Sequence, residues 1–492
     1  MNLRTSRRSF LASSSAWAAA TSFGFSKSPD HCTISILHTT DLHGHILPTR
    51  SYTGLTDLGG FARCATQIRT WRKQNPNSIL VDIGDLYQGT PESFNNQGKL
   101  FVELLGNFNY DAWVLGNHDF DWGPEALEKN IATSKTSILA ANLFGLPEQV
   151  LPWKMIATAG FNIALIGLVT PGLSSWIPPE TLGSVVANQP AAALKKSIAQ
   201  AQSARADAIV VLAHFGLKNI DDFANPLHAT LLAAPGVDAL IAGHTHTNIP
   251  SLQLGGTLFT QANHFGIHCG KLDLTFDQHS RKLIAKTATT ELMDARITLD
   301  PSVIHLSQPA LNSASEQLSR KLTNLAAPIL GNGRDSPLAR LLCRAFLTAL
   351  KNNNTPADAV FHGTFGTPQI PAGLVTVAQA WEILPYENSL ITAALTPAQL
   401  LEILAEDHTT GSDRTLWPFE VVYEKAKPVK ILHNSRELDP SKTYTIAFNT
   451  YDSQSAGQAL PRLRETIEQP SAHRKLTTIS TRSALIEAFL TM

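Results

Sequence analysis

The sequence has few cysteines and few charged residues. It contains 4 cysteines in 492 residues, and charged residues make up 16 %, below the roughly 25 % usual in soluble proteins. The cysteines show no C-x-x-C spacing, which argues against a thiolate zinc site; they are Cys32, Cys64, Cys269 and Cys343. Three disulfide pairings are possible, and the spacing favours none of them.

An excess of positive charge is also absent. Lys and Arg number 39 against 40 Asp and Glu, a net charge of -1, so a nucleic-acid polymer is not expected as the partner, because it would require a basic surface. After the first thirty residues no run approaches the roughly 20 apolar residues of a membrane-spanning helix. Hydrophobic residues still make up 43 %, enough to bury a core. The length predicts two or more compact units.

The first thirty residues have the pattern of an export signal. Two consecutive arginines, Arg7 and Arg8, precede an apolar stretch rich in Ala and Ser, which is the twin-arginine arrangement. We therefore expect residues 1–30 to be a twin-arginine signal peptide, and the mature protein to be periplasmic or extracellular.

From residue 31 to about 300, short apolar runs alternate with helical patterns. An amphipathic helix is predicted over Gly60–Lys73, and the apolar runs predict buried strands; these are Thr33–Leu37, Ile79–Val81, Trp113–Leu115, Ile163–Gly167, Ile209–Leu212 and Ala239–Ala242. The alternation predicts a layered α/β domain.

A second unit is expected over residues 337–492. Residues 301–336 are polar and helical without strong strand signals, and are interpreted as a linker. Residues 338–350 then predict a helix with one apolar face, and 389–394 a strand. Thr396, Pro397 and Gln399 predict the start of the next helix, because they suit the N-cap, the first turn and a capping box.

Polar clusters follow five of the predicted strands, where ligands usually bind in α/β sheets. They lie at 41–45, 84–85, 116–121, 214 and 243–246 and offer carboxylate, imidazole and amide groups but no thiolate. Mixed nitrogen and oxygen donors suit Zn, Mn, Fe or Co better than Ca or Mg. Because the donors are too many for one ion, we expect two divalent metal ions that share a carboxylate.

The order DxH, GD, GNHD, H, GHxH resembles the calcineurin-like metallophosphoesterases, and specifically the bifunctional metallophosphatase and 5′-nucleotidase group. The resemblance implies a four-layer β-sandwich flanked by helices, followed by a smaller α/β 5′-nucleotidase C-terminal domain. It also implies a hydrolase of nucleotides or related small phosphate esters, in which a metal-bound hydroxide attacks phosphorus without a covalent phospho-enzyme. No Gly-x-Ser-x-Gly motif for a serine nucleophile is present.

The resemblance assigns roles residue by residue. Asp41, His43 and His246 would hold one ion, and Asp85 would bridge. The second ion would be held by Asn117, His214 and His244. His118 would face the phosphoryl group, and Asp121 would orient it.

For the second domain the resemblance implies a substrate pocket. Asn388 lies in a segment similar to the family's Pro-Phe-x-Asn, and Tyr451 in one similar to its Asn-Phe loop. Tyr451 and one of Trp417 or Phe419 are candidate rings for stacking on a base. The sequence departs from the family at residues 362–367, where the arginine of the Gly-Gly-x-Arg turn is missing.

Two alternative functions remain open. One is a thiosulfohydrolase of the sulfur-oxidation type, which would use the same metals to release sulfate from a carrier-protein thiol. The other is a noncatalytic protein that binds metal and nucleotide. The presence of His118 and Asp121 speaks against the latter, because binding alone does not require them. The oligomeric state is not predicted.

Overall fold

The computed structural model describes residues 30–364, 369–412 and 414–492. The predicted signal peptide lies outside these residues, as does part of the segment where the family arginine is missing. Within the described ranges, no helix combines the length and the apolar character needed to cross a membrane.

The first unit is built on two large sheets. Its strands are β1 (His31–Thr39), β2 (Ser78–Asp82), β3 (Ala112–Val114), β4 (Ser137–Leu139), β5 (Leu143–Phe144), β6 (Val150–Leu151), β7 (Trp153–Thr158), β8 (Phe161–Val169), β9 (Val186–Ala187), β10 (Ala208–His214), β11 (Ala239–Ala242), β12 (Asn248–Leu254), β13 (Thr257–Ala262), β14 (His268–Asp277) and β15 (Leu283–Leu292). Its helices are α1 (Phe61–Gln74), α2 (Pro91–Phe94), α3 (Lys99–Asn107), α4 (Gly123–Thr133), α5 (Pro179–Leu182), α6 (Pro190–Ser203) and α7 (Leu227–Ala233).

The two sheets pack face to face and carry helices outside. One sheet has the order β15-β14-β1-β2-β3-β4-β6 and the other β12-β13-β11-β10-β8-β7. Side chains from both sheets, such as Leu80 and Leu212, share one core, while the opposite face of the second sheet packs on Leu194 and Ile198 of α6. The central strands β8, β10 and β11 are buried on both faces, and their sequences are accordingly almost continuously apolar. The predicted four-layer α/β fold is confirmed.

The segment interpreted as a linker contains more than helix. Helix α8 (Pro301–Ser319) is capped by the Asp300 carboxylate and packs against α1, α2 and α3. Two short strands follow, β16 (Lys321–Leu325) and β17 (Ile329–Leu330), which pair with residues 373–376 and 369–370 of the second unit. The sequence missed both strands because they are short and lack alternating apolar residues.

The second unit has a five-stranded sheet between helices. Its strands are β18 (Ala359–His362), β19 (Gln369–Ile370), β20 (Gly373–Thr376), β21 (Ser389–Leu395), β22 (Thr415–Trp417), β23 (Glu420–Glu424), β24 (Lys427–His433), β25 (Arg436–Glu437), β26 (Tyr444–Asn449) and β27 (Lys475–Ser480). Its helices are α9 (Pro337–Asn352), α10 (Val377–Ile383), α11 (Pro397–Thr409), α12 (Thr450–Ser453), α13 (Pro461–Ile467) and α14 (Thr481–Leu490).

The main sheet of this unit has the order β22-β18-β26-β21-β27. Helices α9 and α14 cover one face, and α11 and α13 the other. The predicted capping box is confirmed, since the Thr396 hydroxyl accepts from the Gln399 N–H while the Gln399 side chain returns a bond to the Thr396 N–H. All four cysteines are buried and none forms a disulfide.

Candidate metal centre

The predicted metal ligands converge at one edge of the sandwich. They lie in the loops that directly follow β1, β2, β3 and β11, and at the end of β10. Two groups of donor atoms form there, each with its atoms within 4.8 Å of one another; they are Asp41, His43, Asp85 and His246, and Asp85, His214 and His244. Asp85 belongs to both groups, as the bridging role requires.

In the first group the donors face one another closely. The Nε2 atoms of His43 and His246 are 3.1 Å apart, and His246 Nε2 is 3.4 Å from Asp41 Oδ1. The other nitrogen of His43, Nδ1, lies 3.0 Å from the Gln88 carbonyl oxygen. That contact fixes the orientation of the ring and leaves Nε2 directed at the cluster, the usual arrangement of a metal-binding histidine.

In the second group, buried polar atoms lack protein partners. His214 Nε2 lies 3.1 Å from Asp85 Oδ2 but without hydrogen-bond geometry, and Asn117 Oδ1 is buried and has no hydrogen-bond partner. Such orphaned atoms are rare in folded proteins. The Nδ1 atom of His214 is 2.6 Å from the Ile83 carbonyl oxygen, which again leaves Nε2 for a ligand.

The protonation states suit cation binding. Burial lowers the pKa of His43 and His244 to about 3, so their rings are neutral and free to coordinate at neutral pH. Burial also opposes charge on the His214 ring, but the attraction of the Asp85 carboxylate is stronger than this effect and raises the pKa of His214 to about 10. A cation between His214 and Asp85 would displace that proton. The donor set therefore fits a dinuclear metal centre.

The backbone around the cluster is held in an unusual conformation. Five of the predicted ligands have left-handed φ values between 46° and 72°; they are Asp41, His43, Asp85, His244 and His246. A left-handed backbone conformation costs energy for residues other than glycine, and residues in this conformation occur often at functional sites. The Asp119 carboxylate supports the loop that carries Asp85, because it accepts hydrogen bonds from the N–H groups of Asp85, Leu86 and Gly116.

His118 and Asp121 form a pair beside the cluster. His118 Nδ1 is 2.8 Å from Asp121 Oδ2, and the His118 N–H donates to Asp85 Oδ1 at 2.7 Å. Burial disfavours the charged ring, but Asp121 and Asp85 raise the pKa of His118 to about 9. A protonated imidazole is thus held next to the carboxylate that the two donor groups share.

A cavity of about 380 Å³ opens onto the cluster. Of the predicted substrate-binding residues, Asn388 and Tyr451 line it. Trp417 and Phe419 do not: Trp417 packs against the core under α9, and Phe419 belongs to the core on the other face of that sheet. Trp417, at the end of β22, and Phe419, between β22 and β23, both take part in core packing, which a motif-based assignment of the rings could not reveal.

Three aromatic or imidazole residues near the site were not among the predicted site residues. Trp176 and Tyr386 line the cavity, and the Tyr386 ring stacks on His118 with centroids 5.8 Å apart. His264 stacks on His246 at 4.8 Å. Tyr386 stood beside the Asn388 motif and could have been found, whereas nothing in its sequence surroundings distinguishes Trp176.

Comparisons with known proteins agree with this site. Residues 34–248 match the model of the calcineurin-like phosphoesterases, and residues 321–465 match the 5′-nucleotidase C-terminal domain.

Individual relatives are distant but span most of this chain. Snake venom 5′-nucleotidase from Naja atra is 27 % identical, and the match covers 81 % of this chain and 83 % of that protein. Endonuclease YhcR from Bacillus subtilis is 25 % identical over 92 % of this chain, which spans only 39 % of YhcR. The structure of the 5′-nucleotidase precursor from Thermus thermophilus shares the fold, with a TM-score of 0.71, 21 % identity and coverage of 94 % and 96 % of the two chains. The chain therefore belongs to the calcineurin-like phosphoesterases that carry a 5′-nucleotidase C-terminal domain, a family of metal-dependent phosphoric ester hydrolases.

Proposed function

We propose that this protein is an exported two-metal phosphoesterase that hydrolyses nucleotides or related small phosphate esters. The observation that carries the proposal is the pair of donor groups that share Asp85, with the His118 imidazole and a cavity directly beside them. The names of relatives such as the Naja atra 5′-nucleotidase point to the same chemistry.

The proposed ligand assignment takes the two donor groups and adds Asn117, whose buried Oδ1 has no hydrogen-bond partner. Asp41, His43 and His246 hold one divalent ion, and Asp85 is shared. Asn117, His214 and His244 hold the other. The mixture of imidazole nitrogen and carboxylate oxygen donors favours Zn, Mn, Fe or Co over Ca or Mg. When bound, the two cations supply an activated water molecule and the positive charge that a phosphoryl group needs to accept it.

The chain's own residues contribute proton control and orientation. The protonated His118 ring donates a hydrogen bond to the phosphoryl group or to the departing oxygen, where negative charge develops. Asp121, which accepts from His118 Nδ1, holds the ring in place and stabilises its charge. Asn388 and Tyr451 bind the remainder of the substrate from the second unit.

Export by the twin-arginine route is part of the proposal. It is supported by Arg7 and Arg8 before the apolar stretch, and by a donor set that a chain folded before export could fill with metal in the cytoplasm. Replacement of both arginines by lysine should retain the protein in the cytoplasm, which fractionation of cells that express the full chain would reveal.

The catalytic proposal is tested by phosphate release. We expect the protein with Mn or Zn to release phosphate from AMP or p-nitrophenyl phosphate. His118→Ala should lower turnover roughly 100-fold or more while metal content persists. His279→Ala, at an exposed turn, is the matched control and should behave as the parent.

Other outcomes would support the alternatives. Release of sulfate from a thiosulfonate-bearing protein, without phosphate release from any ester, would favour the thiosulfohydrolase. A protein that turns over no ester, and whose His118→Ala variant binds nucleotide as the parent does, would be a binding protein.

A further inference from the structure

Protonated His118, which lies against the shared Asp85 carboxylate, is the cation among the described residues that line the cavity outside the two donor groups. The lining residues of the cavity within the described part of the chain include aromatic, aliphatic, hydroxyl, amide and acidic side chains, but no Lys or Arg. The residues outside the described ranges after position 30 are Phe365, Gly366, Thr367, Pro368 and Asp413, so they add no cation either. Because His118 serves the phosphate at the metal centre, the described cavity lining offers no Lys or Arg to pair with a second phosphate of the substrate.

The arginines around the cavity are already engaged. Arg482 donates to Glu387 at 2.8 Å, and Arg474 is bonded to Glu180. Arg414 donates to Asp452 at 2.7 Å and also bonds Asp407, under the loop that carries Tyr451. Removing Arg414 or Arg482 from its carboxylate would leave a buried charge without a partner, which is costly.

One wall of the cavity is a tryptophan of the first unit. The Trp176 ring lies 5.1 Å from the His244 ring, measured between centroids, so it stands directly next to the metal centre. A Cβ atom on Gly457 would lie 3.2 Å from Trp176 Nε1 and 3.5 Å from the Tyr451 hydroxyl. Gly457 therefore lets both rings approach the same space.

From this arrangement, and resting on the proposed phosphoesterase function, we propose that Trp176 is a specificity-determining residue for monophosphate esters with an uncharged, flat leaving group. The single phosphate lies at the metal centre, and the ring of the leaving group packs against Trp176. Stacking on indole needs no charge and tolerates any planar ring.

The same geometry disfavours substrates with more than one phosphate. With the terminal phosphate at the cluster, the next phosphate of a nucleoside diphosphate lies among aromatic, aliphatic, hydroxyl and amide side chains, and the nearby Glu387 already pairs with Arg482. Burial of a charge without a partner is unfavourable, so diphosphates should be cleaved less efficiently than monophosphates.

The first test compares kcat/KM for AMP, ADP and glycerol 3-phosphate, which lacks a ring. The parent should prefer AMP over ADP by about 10-fold or more. Trp176→Leu should lower kcat/KM for AMP about 10-fold and change that for glycerol 3-phosphate less than about 2-fold. Thr181→Arg, which places a cation in the cavity wall, should lower the ratio of kcat/KM for AMP to kcat/KM for ADP.

The second test measures binding without turnover. Calorimetry with the metal-loaded protein and adenosine, which has no phosphate to lose, should show affinity about 10-fold weaker for Trp176→Leu than for the parent. Trp153→Leu is the matched control, because Trp153 bonds Gln200 on the outer face of the second sheet and does not line the cavity; it should bind as the parent.

The outcomes separate the two proposals. If no ester releases phosphate, the proposed function fails. If phosphate is released but ADP is cleaved as efficiently as AMP, the assignment of Trp176 is wrong while the proposed function stands. The same holds if Trp176→Leu changes kcat/KM for the three esters and the affinity for adenosine no more than Trp153→Leu does.

Discussion

Replacement of Asp119 should lower both the unfolding free energy of the first unit and the affinity of the centre for metal. Its carboxylate is only 2 % exposed and accepts three backbone N–H bonds, from Asp85 at 3.2 Å, Leu86 at 3.0 Å and Gly116 at 2.7 Å. It thereby joins the loop that carries the shared carboxylate to the loop that carries Asn117. Asp119→Ala leaves all three donors buried and without a partner.

The magnitude follows from those three bonds. Each buried N–H left without its acceptor costs about 1 to 3 kcal/mol, so the loss of all three bonds should cost about 3 to 9 kcal/mol of unfolding free energy. Since the Asp119 bonds position Asp85, metal affinity should also fall, by about 10- to 100-fold, as for other residues that support metal ligands.

Urea unfolding and metal titration would check both effects. Asp238→Ala is the control: its carboxylate accepts one N–H bond, from Ile209 at 2.8 Å, and does not belong to either donor group. It should cost about 1 to 3 kcal/mol and retain the parent's metal affinity. If Asp119→Ala unfolds with the same free energy as Asp238→Ala and binds metal as tightly, the supporting role assigned to Asp119 is wrong.

Three further predictions concern the centre and its surroundings. A Cβ atom on Gly116 would lie 2.2 Å from Asp85 Oδ1, so Gly116→Ala should displace that carboxylate and lower the bound metal measured by elemental analysis, whereas Gly256→Ala, in open space, should not. Burial lowers the pKa of His38 to about 3. Because the unfolded chain takes up this proton below about pH 6.5, the ring lowers the unfolding free energy as pH falls from 6.5 toward 3, by about 5 kcal/mol in full. His38→Leu should therefore flatten urea-unfolding stability over that pH range relative to the parent, and an unchanged slope would contradict the assignment. Chelation should abolish phosphate release and lower the Tm, and added Mn should restore both; a Tm insensitive to chelator would argue against ion binding at the buried carboxylates.

Much of the fold could be predicted because its signals are local. Strands β8 and β10 are apolar throughout, since both faces are buried, and the Thr396 capping box can be recognised from four consecutive residues. Strands β16 and β17 could not be predicted, because each is short and gains its stability from a distant partner strand. Leu325 of β16 pairs with Gly373, and Ile329 of β17 pairs with Ile370.

The sequence by itself determined the chemistry of the centre. The residue types at Asp41, Asp85 and His246, and their position after apolar strands, specify a set of nitrogen and oxygen donors, because parallel strands end at one edge of a sheet. Only the tertiary structure decided what surrounds those donors. It placed Trp176 against His244 and buried Phe419 in the core, since the surroundings of a ring depend on contacts between distant segments, which no local pattern records.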